Sequence, residues 1–177
     1  MKKIYIITGR TGSGKSTLCK RLAKELDLTL LSFANMGKKF ANDNGYERIR
    51  ECHLAMELNE FKEKMTNHLI KCIESSLELN DIIIIDGLYI DTAVSKLKEK
   101  YQCILIYLNT DDTVRYQRIS QRLSITIEEA QEENKIKERL KDEVGINELI
   151  KNADYEINGD NSPENIYEEV YQIIKKS

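Results

Sequence analysis

The chain has 177 residues, of which 41% are hydrophobic and 32% charged, with a formal net charge of -3. That length suits a single domain with its own core, and the near balance of charge excludes a protein held to nucleic acid or anionic lipid by bulk positive charge. An anionic ligand would have to meet a local basic site.

Lys2 and Lys3 precede only a short apolar run, residues 4–7, far short of a signal-peptide core. The other long apolar run, residues 82–85, is equally short of a membrane span. Cys19, Cys52, Cys72 and Cys103 form no C-x-x-C pair, and no histidine stands at metal-ligand spacing. They read as reduced thiols, and the expected compartment is the cytoplasm.

Residues 4–7, IYII, are β-branched and aromatic and end at a glycine turn, which predicts a buried strand. Leu18, Leu22 and Leu26 then recur at helical spacing on a helix starting near Gly14. Residues 28–31 predict a second strand, and residues 33–44 a short helix ended by Gly45. Leu54, Leu58, Phe61, Met65, Leu69, Ile73 and Leu77 step by three or four and predict one long amphipathic helix. Residues 82–85, 104–108 and 155–157 predict three further strands. Thr126 and Glu129 fit a capping box, and Ser162-Pro163 marks another helix start. Strands alternating with helices predict an α/β fold, a parallel sheet covered on both faces.

Residues 9–16, GRTGSGKS, match G-x-x-x-x-G-K-[ST], with a strand before and a helix after. The glycines let the backbone fold tightly, so several N–H groups converge on one anion at the positive end of the helix. Gly9, Arg10, Thr11, Gly12, Ser13, Gly14, Lys15, Ser16 and Thr17 are the expected nucleotide-binding residues, Thr17 mainly as a support. Lys15 can reach the outer phosphates and the Ser16 hydroxyl can bind Mg²⁺. Asp86 ends the third strand beside this loop, where open parallel sheets bind ligands, and is the expected second group for Mg²⁺.

The phosphate loop, the strand ending in Asp86-Gly87 and the pair Arg118 and Arg122 together resemble the nucleoside monophosphate kinases and dephospho-coenzyme A kinases. Residues 31–41, LSFANMGKKFA, resemble the acceptor segment of archaeal-type cytidylate kinases, and residues 114–130 are similar to their lid. Residues 153–158, ADYEIN, resemble the segment flanking the adenine pocket in both families. The resemblance implies a three-layer P-loop kinase fold with a five-stranded sheet in the order 2-3-1-4-5. It implies one domain over 1–177, with an acceptor-binding lobe over about 33–80 and a lid over about 115–140. ATP and Mg²⁺ would be the cofactors, and Lys15, Asp86, Arg118 and Arg122 the catalytic residues. Arg118 and Asn158 would also touch the nucleotide, and Ser32, Asn35 and Lys38 would face the acceptor. Arg118 and Arg122 lie one turn apart on one helix face, with Arg115 a turn earlier, and an arginine fork suits phosphate oxygens.

Two departures bear on the acceptor. Thr11 stands where nucleoside monophosphate kinases carry proline, as in dephospho-coenzyme A kinases, yet Asn35 stands where the latter place an acid. A ribose hydroxyl acceptor benefits from a general base, whereas a phosphate acceptor is already anionic. Asn35 cannot be that base. The expected reaction is therefore phosphoryl transfer from ATP to a small nucleotide-like molecule, with a nucleoside monophosphate ahead of dephospho-coenzyme A. A slowly hydrolysing ATP switch acting on a protein partner is the alternative from another class. Asp43, Asp91, Lys135, Lys137 and Arg139 read as solvated surface, and His53 and His68 as structural. Neither bulk nucleic acid nor a membrane is an expected partner, and the pattern leaves monomer and homodimer open.

Overall fold

Successive residues of a strand point to opposite faces, so a strand apolar throughout must be covered on both sides. The computed structural model describes residues 2–177. Its elements are β1 (Lys3–Thr8), α1 (Lys15–Leu26), β2 (Thr29–Ser32), α2 (Phe33–Asp43), α3 (Ile49–Ala55), α4 (Leu58–Leu79), β3 (Ile82–Asp86), α5 (Asp91–Lys100), β4 (Gln102–Asn109), α6 (Asp112–Leu123), α7 (Ile127–Glu143), α8 (Ile146–Lys151), β5 (Tyr155–Asn158) and α9 (Pro163–Lys176). The strands are parallel in the order β2-β3-β1-β4-β5, as the resemblance implies.

The alternation builds two cores. Ile4, Ile6, Ile83, Ile85 and Leu105 face one side and pack with Phe33, Phe40, Phe61, Met65 and Leu69 of α2 and α4. Tyr5, Ile7, Ile84, Ile106 and Leu108 face the other and pack with Leu18 and Leu22 of α1 and Ile166 and Val170 of α9. β1 is flanked by β3 and β4, so its C-terminal end opens at the centre of the sheet. The phosphate loop starts there.

The helix expected over Leu54 to Leu77 is two helices. Met56 and Glu57 are extended, and the Glu57 carboxylate accepts from the N–H groups of Asn59 and Glu60, starting α4 anew. Leu54 accordingly lies 58% exposed, although its spacing put it on the apolar face. A side-chain cap overrode the periodicity. The capping box at Thr126 forms in both directions, at 3.1 and 2.8 Å. Ser162 caps α9 ahead of Pro163. The short α8 after Gly145 carries no pattern the sequence reading picked out.

Among the described residues no helix is long and apolar enough to cross a membrane, and all four cysteines are free.

Candidate active site

The loop between β1 and α1 is shaped by backbone conformations that only glycine adopts at low cost. Gly14 caps α1 with φ 96°, and Gly12 has φ 84°. A Cβ on Gly12 would stand 2.7 Å from the Arg115 carbonyl oxygen and 3.0 Å from Ile119, so α6 presses directly on the loop. The loop closes on itself where the Ser13 N–H donates to the Arg10 carbonyl at 3.2 Å. It is braced from the β4–α6 turn and from α6, as Thr110 Oγ1 and Arg118 Nη1 both donate to the Ser13 carbonyl, at 3.3 and 3.1 Å.

These contacts surround a cavity of about 360 Å³ lined by Thr11, Gly12, Gly14, Lys15, Ser16, Thr17, Arg118, Ile119 and Arg122. Residues expected at the nucleotide from two distant segments thus meet around one hollow. Lys15 donates to the Arg10 carbonyl at 3.3 Å. Burial pushes its pKa down, and the charge of Asp86 pulls it back. Asp86 ends β3 with one carboxylate oxygen buried and unpartnered among the described residues. A buried anionic oxygen with no donor is costly unless a cation meets it. That orphan oxygen and the exposed Ser16 hydroxyl fit a divalent ion. Among the described residues no group of three or more His, Cys, Asp or Glu could hold a metal. Such an ion would therefore share its shell with phosphate oxygens and water, which suits Mg²⁺.

Gly87, the residue after Asp86, has φ 81°, and a Cβ there would stand 3.2 Å from Lys15 Cε. The Asp-Gly step thus clears the path of the lysine stem. Arg118 spans the loop and the β5–α9 turn, donating to the carbonyls of Ser13 at 3.1 Å and Gly159 at 3.0 Å. Arg122 is exposed at the cavity rim. Behind Arg118 lies an apolar groove of about 280 Å³, lined among others by Leu18, Leu108, Pro163, Ile166 and Tyr167.

Other expected residues fall elsewhere. The Arg10 side chain leaves the nucleotide cavity and pairs with Glu138 at 3.0 Å and Asp142 at 2.8 Å, both on α7. Two carboxylates hold a guanidinium more firmly than the crowded, cationic loop could. Asn158 lies in a separate depression with Asn109, Asp111, Glu156 and Asp160, and its side-chain oxygen accepts from the Asp160 N–H at 2.9 Å. Gly9 follows β1 at the start of the loop, and a Cβ there would stand 2.9 Å from the Leu108 carbonyl oxygen of β4. Ser32 stands in register with Asp86 at the sheet edge and caps α2 by accepting from the Asn35 N–H at 3.4 Å. Asn35 and Lys38 are exposed on α2, Lys38 over an open hollow of about 580 Å³ that it shares with Asn42, Glu47 and Arg48.

Across Thr11 from the nucleotide cavity lies a second one, of about 210 Å³. Its walls are Arg48, Ile49, Arg50, His53, Phe61, Tyr89, Lys137, Leu140 and Lys141. The sequence reading took His53 as structural, Lys137 as solvated surface and Phe61 as part of an apolar helix face, and gave Leu140 and Lys141 no role. Phe61 and His53 stack face to face at 4.4 Å. Burial holds the His53 pKa down despite Glu143, 3.2 Å away on α7. Burial pushes the Tyr89 phenol well up. Beside the cavity, Glu138 accepts from the Thr11 N–H at 3.1 Å, from Arg10 at 3.0 Å and from Lys141 at 3.2 Å. Burial alone would raise its pKa, but Lys141, Thr11 and Arg10 outweigh that and hold it at about 2. Lys135 and Arg139 are exposed, as the charged pattern of α7 predicts. Asp43 pairs with Lys39, and Asp91 is engaged by Lys62 at 2.8 Å.

The chain is similar to known proteins over most of its length. A cytidylate kinase from Ignicoccus hospitalis is 28% identical over 135 residues, covering 73% of this chain and 70% of that protein. A cytidylate kinase from Pyrobaculum islandicum is 28% identical over 137 residues, with 77% and 70% covered. A UPF0200/UPF0201 protein from Archaeoglobus fulgidus is 28% identical over 98% of this chain, which spans only 55% of that relative's length. In fold, the chain aligns with the solved shikimate kinase from Bacteroides thetaiotaomicron at a TM-score of 0.62, with 18% identity, covering 99% of this chain and 96% of the other. The AAA domain family matches residues 6–144, and with that match the chain belongs to this family, with a fold like that of the shikimate kinase it aligns with.

Proposed function

We propose that the protein transfers the γ-phosphoryl group of ATP to a small nucleotide-like acceptor, most simply a nucleoside monophosphate. One observation carries the reading. The phosphate loop has a cavity on each side of Thr11, one lined by Lys15, Ser16, Arg118 and Arg122, the other by cations and aromatic rings. A donor and an acceptor bound in the two would meet at the loop.

In this reading the adenine ring occupies the apolar groove behind Arg118, and the loop amides with Lys15 grip the phosphates. Asp86 and Ser16 would hold Mg²⁺, which when bound neutralises phosphate charge. An acceptor oxygen attacks the γ-phosphorus in line. The new P–O bond forms as the bond from that phosphorus to the bridging oxygen breaks, and ADP leaves. Lys15, Arg118 and Arg122 neutralise the charge on the moving group. Residues 33–80 act as the acceptor lobe, and α6 with α7, over about residues 115–140, as the lid.

The second cavity supports a phosphate acceptor over a hydroxyl. Among the described residues no carboxylate lines it, and Glu138 beside it is held too acidic to act as a base. Its stacked Phe61 and His53 and its Tyr89 suit a nucleobase. The cytidylate kinase relatives favour a pyrimidine. The test incubates the protein with ATP and Mg²⁺ and a panel of nucleoside monophosphates, dephospho-coenzyme A and shikimate, following ADP. At least one nucleoside monophosphate should raise ADP formation well above the acceptor-free rate. Hydrolysis indifferent to every acceptor would reject the kinase reading in favour of a switch.

A further inference from the structure

Lys141 sits near the end of α7, on a helix so rich in charge that its sequence suggests only solvated side chains. The fold buries it. Its side chain is 10% exposed, and the ammonium donates to Thr11 Oγ1 at 2.8 Å and to Glu138 Oε1 at 3.2 Å. It also lies 5.6 Å from the centre of the Tyr89 ring and lines the second cavity.

Glu138 does not balance it. That carboxylate also accepts from the Thr11 amide and from Arg10, whose other nitrogen is held by Asp142, so Lys141 shares its one carboxylate with two further donors. Lys15 adds a further positive charge nearby. Burial and Lys15 push the Lys141 pKa down to about 8, against the pull of Glu138. The cavity wall deepens the deficit, since Arg48, Arg50 and Lys137 are all cationic. A buried cation in such a place is stabilised by an anionic ligand, and a cavity is already open beside it.

The geometry points to Lys141 as the cation that binds the acceptor's own phosphate group, a phosphate monoester dianion. Thr11 and Glu138 hold it in place on the acceptor side of the loop, as Lys15 stands on the donor side. The assignment rests on the two-cavity kinase reading, but it can stand or fall apart from the identity of the acceptor.

The experiment loads the phosphate loop first with Mg²⁺ and a non-hydrolysable ATP analogue. Calorimetric titration with cytidine monophosphate, adenosine monophosphate and inorganic pyrophosphate follows, on wild type, Lys141→Met, Lys141→Arg and the exposed control Lys135→Met. Lys141→Met should weaken the phosphate-bearing probe by about tenfold or more. The affinity for the ATP analogue should not change, and Lys141→Arg should recover most of the loss. In turnover, the defect should appear in the acceptor KM more than in kcat. If Lys141→Met does not fold, Lys141→Gln, which keeps a donor for Thr11 and Glu138, carries the same expectation.

Wild-type affinity in the neutral variants would overturn the assignment, as would an equal loss for the ATP analogue or for Lys135→Met. Lys141-dependent binding of pyrophosphate, with none of the nucleotides bound, would keep it and remove the nucleoside monophosphate reading. No binding of any probe to wild type would sink both.

Discussion

Replacing Glu138 with glutamine tests whether α7 is fastened to the phosphate loop through that one carboxylate. The variant keeps the shape and removes the charge that Arg10, Lys141 and the Thr11 amide share. The magnitude follows from the carboxylate's pKa, which falls from the usual 4.5 to about 2 in the fold. At about 1.4 kcal/mol per unit, that is a ceiling of roughly 3 kcal/mol. Lys141 gains nothing comparable, because burial and Lys15 lower its own pKa. A net loss of about 2–3 kcal/mol is expected, close to the cost of breaking a buried pair from one side. For a chain of this size that lowers Tm by roughly 4–12 °C. The carboxylate's folded pKa lies below its unfolded value, so its contribution is complete above about pH 4.5 and is lost as pH falls toward about 2. Thermal melts of both proteins between pH 7 and pH 3 should therefore converge as the medium acidifies. A Tm shift under 2 °C at pH 7, or a gap that widens in acid, would refute the reasoning.

Other changes probe the loop and its surroundings. Lys15→Ala should leave the far-ultraviolet circular dichroism and Tm near wild type while acceptor-dependent ADP formation falls by about 10²-fold or more; retained turnover would remove Lys15 from the proposed role. Gly12→Ala should cost about 1–2 kcal/mol for the left-handed backbone alone, and the collision with the Arg115 carbonyl should weaken nucleotide binding; unchanged calorimetry and Tm would show that α6 does not press on the loop. Arg122→Ala, at an exposed rim position, should hardly move Tm yet lower kcat by about 10²-fold if it meets the transferred charge; a near-wild-type rate would assign it to the solvent face.

Sequence alone determined what neighbouring residues can encode. The glycines of the phosphate loop, the apolar strands, the capping box at Thr126 and the Ser162-Pro163 start are all local requirements of backbone geometry, and each forms as its pattern dictates. The position of Asp86 was legible too, as the acid that ends β3 beside the loop. The break after α3 was missed because a glutamate cap at Glu57 competes with an unbroken apolar period, and periodicity carries no record of caps. Only the tertiary structure decided which charges of α7 turn inward. Arg10 meets Glu138 across 128 positions, and Lys141 meets Thr11 across 130. Burial of an ammonium depends on what a helix is pressed against, not on its own spacing. α7 lies against the loop, and that packing, rather than any motif, separates Lys141 from its solvated neighbours Lys135 and Arg139.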